Sequence, residues 1–84
     1  MFIIMTNYIK PIGINLKKSR KINYPKDTIA AFAVRCEIGL STYKKMEKGD
    51  LTVALNYYYL AAEVLGRTSE FEDLFKERED WFNG

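Results

Sequence analysis

Histidine is absent from this 84-residue chain, and cysteine occurs once, as Cys36. Without histidine, the commonest general base and the usual nitrogen ligand of zinc are both missing. A lone cysteine permits no intrachain disulfide and suits a reducing, cytoplasmic compartment. The chain also lacks a Gly-rich phosphate loop, a nucleophile elbow and an acid pair in a recognisable setting. These absences argue against an enzyme, and they predict neither a metal nor a cofactor.

Long hydrophobic runs are missing as well, since no segment approaches the roughly 20 apolar residues that cross a bilayer. The opening Met1-Phe2-Ile3-Ile4-Met5 is too short for a signal-peptide core, and it has no basic flank or small-residue cleavage site. We therefore expect a protein with no membrane partner. The pentapeptide itself is interpreted as a short β arm or an irregular start, with a strand that pairs with a second copy as the functional alternative.

The net charge of +2 is unevenly distributed. Residues 1–26 carry six basic side chains and no acid, which gives +6, and residues 27–49 carry four basic and three acidic ones, which gives +1. Residues 50–84 carry three basic and eight acidic side chains, which gives −5. A basic front and an acidic tail indicate one face suited to a polyanion, although charge runs of this kind also occur as solvated helix faces.

Helical periodicity between turn signals predicts an all-α domain of five short helices. We expect one domain over 1–84, with an arm at 1–11, a core at 12–66 and a C-terminal helix at 69–82. Asp27 or Thr28 would cap the second helix, and Asp50 or Thr52 would open the fourth. Ser69 starts a capping-box pattern for the fifth. The predicted inward residues are Ile12, Leu16, Ile29, Phe32, Ala33, Cys36, Leu55, Tyr58, Tyr59, Ala62 and Leu65.

A tight joint of about three residues, Glu37 to Gly39, connects the second and third helices. So short a joint makes two helices cross steeply, which predicts a helix-turn-helix at about 28–48. Ala33 is small enough for close approach of the helices, and Ile38 is apolar enough to be buried in the turn. Tyr43 and Met46 can then dock the third helix on the second, leaving its outer face for a partner. The alternative is an ordinary solvated amphipathic helix.

Residues 12–65 resemble the Cro and phage-repressor type helix-turn-helix family (XRE-like), found in many bacterial and phage regulators. The resemblance is carried by FAVRCEIGLSTYKKMEKGD, by the opening Gly13-Ile14-x-Leu16-Lys17-x-x-Arg20, and by a fourth helix ending Leu-Gly. It implies a lambda-repressor-like fold in which Arg20 pairs with Glu47 across the first and third helices. Glu37 departs from the family's frequent turn glycine, where a left-handed backbone would cost on the order of 1 kcal/mol.

The resemblance and the face geometry together predict contacts to double-stranded DNA. The third helix would read the major groove, and residues near it would meet the phosphates. The predicted DNA-binding residues are Leu40, Ser41, Thr42, Lys44, Lys45, Lys48, Thr28, Lys17 and Asn56.

The function predicted from these features is that of a sequence-specific transcriptional regulator, a homodimeric repressor on a palindromic operator. Dimerisation is assigned to the aromatic residues after Gly66, with intramolecular packing as the alternative. Those residues are Phe71, Phe75, Trp81 and Phe82. A second function class remains open, namely an antitoxin that binds a toxin through its acidic C-terminal part and regulates its own operon.

Overall fold

Five helices account for most of the part of the chain that the structure describes. A computed structural model describes residues 7–77, within which the only β pairing is an isolated antiparallel bridge between Tyr8 and Asp50. The all-α prediction is confirmed for these residues, and none of their helices is long and apolar enough to span a membrane. The helices are α1 (Lys10–Asn23), α2 (Ile29–Arg35), α3 (Leu40–Met46), α4 (Leu55–Leu65) and α5 (Ser69–Glu72).

The N-terminal end of α1 differs from the prediction, because two residues assigned to an arm belong to the helix. Pro11 lies in the first helical turn, where its fixed φ fits the helix and its missing N–H costs nothing. Just before the helix, Ile9 N donates to Gly49 O at 2.8 Å and Leu51 N donates to Asn7 O at 2.6 Å. Residues 7–9 thus pair within the chain, while residues 1–6 of the predicted arm lie outside the described part.

The starts of α2 and α4 are decided by different side chains. Thr28 caps α2 by accepting a hydrogen bond from Ala31 N at 3.0 Å. Of the two predicted caps, Asp27 and Thr28, the structure therefore has Thr28. The fourth helix, however, begins at Leu55 and not at Asp50 or Thr52. The Asp50 carboxylate instead accepts from Thr52 N at 2.8 Å and from Thr52 Oγ1 at 2.7 Å. This local turn competes with helix formation and delays α4.

The predicted C-terminal helix at 69–82 is wrong over its described portion, since α5 ends at Glu72. Short helices are stabilised mainly by packing an apolar face. Leu74 is half exposed and Phe75 is 99% exposed, so a longer helix would gain little burial. Phe75 also has φ of 61°, which an α-helix does not accommodate. Residues 78–82 of that prediction lie outside the described part.

The core is built mainly where α2 packs on α3, and it continues into α4. The predicted inward positions Phe32, Ala33 and Cys36 are buried, and Ile38 in the turn is buried with them. The predicted burial is wrong for two residues of α4 and for Ile12 of α1. On α4, Leu55 and Tyr59 are exposed because Ala61 and Ala62 form the face that meets the core. On α1, Ile12 is also exposed. Two small residues let α4 approach closely, so the larger side chains flank the contact.

Gly13 permits the closest approach between α1 and the end of α3. A Cβ at this position would lie 2.5 Å from Gly49 N and 2.6 Å from the carbonyl carbon of Glu47. These are backbone atoms that cannot move aside as a flexible side chain would. A glycine inside a helix normally weakens it by about 0.5–1 kcal/mol relative to alanine. Here that weakness is offset by an interhelical contact that no other residue allows.

We therefore expect Gly13→Ala to lower the free energy of unfolding by about 1–3 kcal/mol, the range for overpacking, although alanine is the better helix former. Urea unfolding followed by circular dichroism measures this change. Lys21→Ala in the same helix is the control, because Lys21 is exposed and should change stability by less than about 0.5 kcal/mol. A stabilised Gly13→Ala variant would contradict the close contact.

Cys36 is buried at the end of α2, and burial raises the pKa of its thiol from the ordinary 9.0 to about 11, opposed by the nearby charge of Arg35. At pH 8 the native thiolate fraction is then about 100-fold below that of the unfolded chain. We expect Ellman's reagent to react at least about 100-fold more slowly with the native protein than with the urea-unfolded protein. Equal rates in the two states would contradict the buried position.

Candidate nucleic-acid interface

The turn between α2 and α3 sets how the two helices cross. Ile38 N donates to Ala33 O at 2.9 Å, and the Ile38 side chain is buried beneath the turn. Glu37 takes a left-handed backbone with φ of 61°, at the position where the family resemblance expects glycine. Because the burial of Ile38 and the docking of α3 both depend on this reversal, the packing offsets a local strain on the order of 1 kcal/mol.

One face of α3 is used entirely for packing. Tyr43 and Met46 have no exposed surface, and the ring of Tyr43 meets that of Phe32 edge-on at 5.5 Å. At 100° per residue the opposite side of the helix carries Ser41, Lys44 and Lys45. All three are exposed, so the outward face of α3 presents one hydroxyl and two ammonium groups.

The remaining predicted contacts on α3 lie at the borders of this face. Leu40 is exposed at the first helical position, and Thr42 is partly buried on the side toward Met46. No acidic residue occurs within Leu40–Met46. We call Leu40, Ser41, Thr42, Lys44 and Lys45 the α3 face. It combines positive charge, a hydroxyl pair and one aliphatic side chain, which are the groups that meet phosphates and base edges in a major groove.

A buried ion pair fastens α1 to the end of α3. Arg20 Nε donates to Glu47 Oε2 at 2.7 Å and Arg20 Nη2 donates to Glu47 Oε1 at 3.2 Å, with both side chains only 8% exposed. Tyr43 Oη donates to the same carboxylate at 2.5 Å. Arg20 and Glu47 are the two residues that the family resemblance pairs across these helices. The arrangement fixes the axis of α3 relative to α1.

The electrostatics of this cluster keep it charged and ordered. The hydrogen bond to Glu47 raises the pKa of Arg20 against the opposing effect of burial, so the guanidinium stays protonated under all ordinary conditions. Burial, followed by the hydrogen bond to Glu47, raises the pKa of Tyr43 well above its usual value. The phenol therefore remains a donor to the carboxylate. Such bidentate, charge-assisted bonding gives α3 one defined orientation.

Lys17 and Thr28 are exposed on the elements that flank α3. On α1, Lys17 lies within about 60° of Arg20 around the helix, hence on the side that faces α3. Thr28 uses its oxygen to cap α2, yet its hydroxyl proton can still be donated to a phosphate. Both positions are compatible with backbone contacts beside a groove-bound α3.

Lys48 and Asn56 are the exposed candidates beyond α3, in the turn after it and in the first turn of α4. Between them lies Asp50, whose pKa is lowered by hydrogen bonds from Thr52 and further by the charges of Lys45 and Lys48. Asp50 is buried, and its carboxylate accepts two hydrogen bonds from Thr52. The ammonium groups of the two lysines remain at the surface.

Two polar arrangements outside α3 were missed in the sequence. Arg35 Nε donates to Asp27 Oδ2 at 2.9 Å and its guanidinium lies 4.3 Å from the ring centroid of Tyr24. The pair spans eight residues and crosses a turn, so no helical spacing indicates it. The Asp50 turn had a usable signal, since Asp-x-Thr is a common side-chain-to-backbone turn pattern.

The structure describes two of the four residues predicted for dimerisation, and they differ in exposure. Phe71 is partly buried against Tyr59, with ring centroids 5.5 Å apart, so it supports the intramolecular alternative. Phe75 is 99% exposed and is available to a partner. Trp81 and Phe82 lie outside the described residues.

Comparisons with known proteins give no relative for this chain: no family model, no curated protein and no solved structure matches it. Among residues 7–77 no group of three or more Cys, Asp or Glu side chains is placed to hold a metal ion. The α3 face is the feature of this chain that bears most directly on a function.

The Arg20–Glu47 pair leads to a test of how α3 is held. Removing one partner leaves the other charge buried, so Arg20→Met and Glu47→Leu should each lower the free energy of unfolding by about 3 kcal/mol or more. The double variant should be less destabilised than the sum of the two, because no uncompensated charge remains. Urea unfolding of all four proteins provides the cycle, and strictly additive changes would contradict a direct buried pair.

Proposed function

We propose that this protein is a sequence-specific regulator that binds double-stranded DNA through a helix-turn-helix, with α3 as the reading helix. It acts as a homodimeric repressor on a palindromic operator, by binding and without catalysis. The fold implied is the lambda-repressor-like arrangement of the Cro and phage-repressor type family.

The observation that carries the proposal is the division of α3 into two faces. Tyr43 and Met46 are fully buried, whereas Ser41, Lys44 and Lys45 are exposed on the opposite side with no acid among them. Packing against the core does not by itself require that the outer face carry only basic and hydroxyl side chains. Solvated helices usually mix both signs of charge, and α3 does not.

The mechanism follows from the groups on and around this face. Lys17, Lys48 and Thr28 neutralise or hydrogen-bond phosphates and release counterions, which supplies most of the affinity. Lys44 and Lys45 reach guanine edges or phosphates, Ser41 and Thr42 meet base edges, and Leu40 contacts a thymine methyl. In this mechanism repression comes from occupancy of the operator.

Two copies are needed because one helix covers only a few base pairs. A homodimer on a two-fold axis places two α3 helices about one DNA turn apart, at 34–36 Å. Phe75 supplies an apolar group for the contact between copies, since it is 99% exposed at the end of the described chain.

A second candidate function, that of an antitoxin, is favoured by the acidic C-terminal part of the chain. Residues 50–84 carry a net charge of −5, and an exposed phenylalanine in an acidic surrounding also fits a basic protein partner such as a toxin. In that case the helix-turn-helix would regulate the protein's own operon. An operator without inverted symmetry, together with a 1:1 complex with a neighbouring gene product, would favour this alternative.

Selection of binding sequences from random duplexes, followed by fluorescence anisotropy on the selected duplex, tests the proposal. We expect an inverted repeat, and we expect Lys44→Ala/Lys45→Ala to weaken binding about 100-fold, because each good base contact contributes about 1–3 kcal/mol. The slope of log K against log salt should also become shallower, by up to about 1.8 for two lost phosphate contacts.

The matched control is Lys18→Ala/Arg67→Ala, which removes the same charge from two exposed positions. Both side chains line an apolar groove between α1 and α4, so this variant should keep its affinity within about threefold. If no sequence is enriched, or if both double variants lose affinity equally, then α3 is not the reading helix.

A further inference from the structure

An apolar groove of about 750 Å³ runs between α1 and α4 and is bordered by α5 and the turn after it. None of the residues assigned to DNA contributes to its walls. Single exposed apolar residues are ordinary, but a contiguous apolar depression is typical of a surface that binds a partner. Five aliphatic side chains in the groove are between 41% and 76% exposed, namely Ile12, Ile22, Leu51, Leu55 and Leu74.

Beside this groove the chain presents a fully exposed aromatic ring. Leu74 lines the groove, whereas Phe75, the next residue, does not line it and is 99% exposed. Phe75 has a left-handed backbone with φ of 61°. Hydrogen bonds hold the turn on both sides of it, from Leu74 N to Phe71 O at 3.3 Å and from Lys76 N to Asp73 O at 3.0 Å. The ring would have to break this turn to enter its own groove, so the groove that it can fill is that of another copy.

The ring and the groove have the relation that a two-fold dimer requires. An isologous interface is one self-complementary surface that both copies share. Here a projecting ring and an apolar groove lie side by side on each copy, because Leu74 belongs to the groove and Phe75 follows it. When Phe75 of one copy enters the groove of the other, the same contact forms in both directions.

The charges around the two features are complementary as well. Helix α1, which forms one wall of the groove, has four exposed lysines and no acid, whereas residues 70–77 carry four acidic side chains and one basic one, which gives −3. The acidic turn of one copy would therefore lie against the basic helix of the other. Charges at the rim of an interface favour the encounter and add little affinity, so the apolar contact carries the binding. The four lysines are Lys10, Lys17, Lys18 and Lys21.

The exposed apolar surface is large enough for such a dimer. A standard interface takes about 800 Å² from each partner, of which a little over half is apolar. A fully exposed phenylalanine supplies about 150–250 Å² of this, and the five partly exposed aliphatic residues of the groove supply at least as much again. A basic protein partner fits the groove less well than a second copy, because the α1 wall is itself basic.

We propose that Phe75 of each copy inserts into the groove between α1 and α4 of the other copy, so that this groove is the dimer interface. The inference rests on the homodimer of the proposed function and identifies the surface that receives Phe75. The α3 face has no part in the contact and stays free on both copies.

Sedimentation velocity of the full chain, without DNA, tests the two halves of the contact separately. Phe75→Ser removes the ring, and Ile22→Glu places a charge in the groove at a position that is 76% exposed. We expect each variant to weaken the dimer by at least about 30-fold, because a central aromatic contact is a binding hot spot. Both replaced residues are exposed, so circular dichroism should show Tm of the monomer within about 3 °C of the native value.

Val34→Ser is the matched control for these variants. Val34 is 75% exposed on α2 and does not line the groove. Its replacement removes an exposed apolar side chain of similar size and should leave the dimer affinity within about threefold of the native value.

Mixing the two variants tests whether the contact is reciprocal. The mixed pair keeps one intact contact, because the ring of the Ile22→Glu copy can enter the groove of the Phe75→Ser copy. The heterodimer should therefore be at least about 30-fold tighter than either variant homodimer. Native mass spectrometry measures this directly, since the three dimers differ in mass.

Three results would each overturn the proposal. A native protein that stays monomeric at every concentration would mean that the groove has another occupant. Normal dimerisation of Ile22→Glu would mean that Phe75 meets a different surface, such as Phe75 of the partner. A heterodimer no tighter than the variant homodimers would exclude the reciprocal arrangement. The DNA-binding proposal is decided separately, by sequence enrichment and the Lys44→Ala/Lys45→Ala variant, so a dimer without sequence preference would refute that proposal and leave this contact standing.

Discussion

The ion pair between Arg20 and Glu47 is the interaction on which the arrangement of the first three helices depends. It joins the middle of α1 to the residue that follows α3, and both side chains are almost fully removed from water. A buried pair of this kind contributes little net stability, but it strongly penalises any arrangement that separates the charges. Its effect is therefore one of specificity, because α1 and α3 can pack in only one register.

Two further features make that pair attainable. Gly13 lets the backbone of α1 approach that of Glu47 and Gly49, and without this closeness the guanidinium would not reach the carboxylate in a bidentate manner. Tyr43 donates to the same carboxylate from within α3 while its ring packs on Phe32. The position of the α3 face relative to the rest of the molecule thus follows from one polar cluster and one aromatic contact. Both lie beneath the surface that we assign to DNA.

Local chemistry explains which parts of this architecture could be predicted. The capping hydroxyl of Thr28, the left-handed Gly66 and the buried run of Phe32, Ala33 and Cys36 each follow from spacing and residue type within a few positions. The α3 face was likewise predictable, because two buried residues on a short helix dictate which positions point outward. Where a residue's environment is set by its own helix, the sequence was sufficient.

The predictions from sequence were wrong where contacts with a distant element, or their absence, decide the environment of a residue. Asp50 looked like a helix cap, but pairing with Tyr8 and the turn with Thr52 held it outside α4. The fifth helix looked longer because its aromatic residues suggested a packing face, while nothing in the described fold meets Phe75. By itself the sequence determined the all-α class, the short joint between α2 and α3 and the polar α3 face, since these depend on periodicity and turn chemistry. Only the tertiary structure decided which large side chains of α4 are buried and where an apolar groove remains, because burial depends on contacts between elements far apart in the chain.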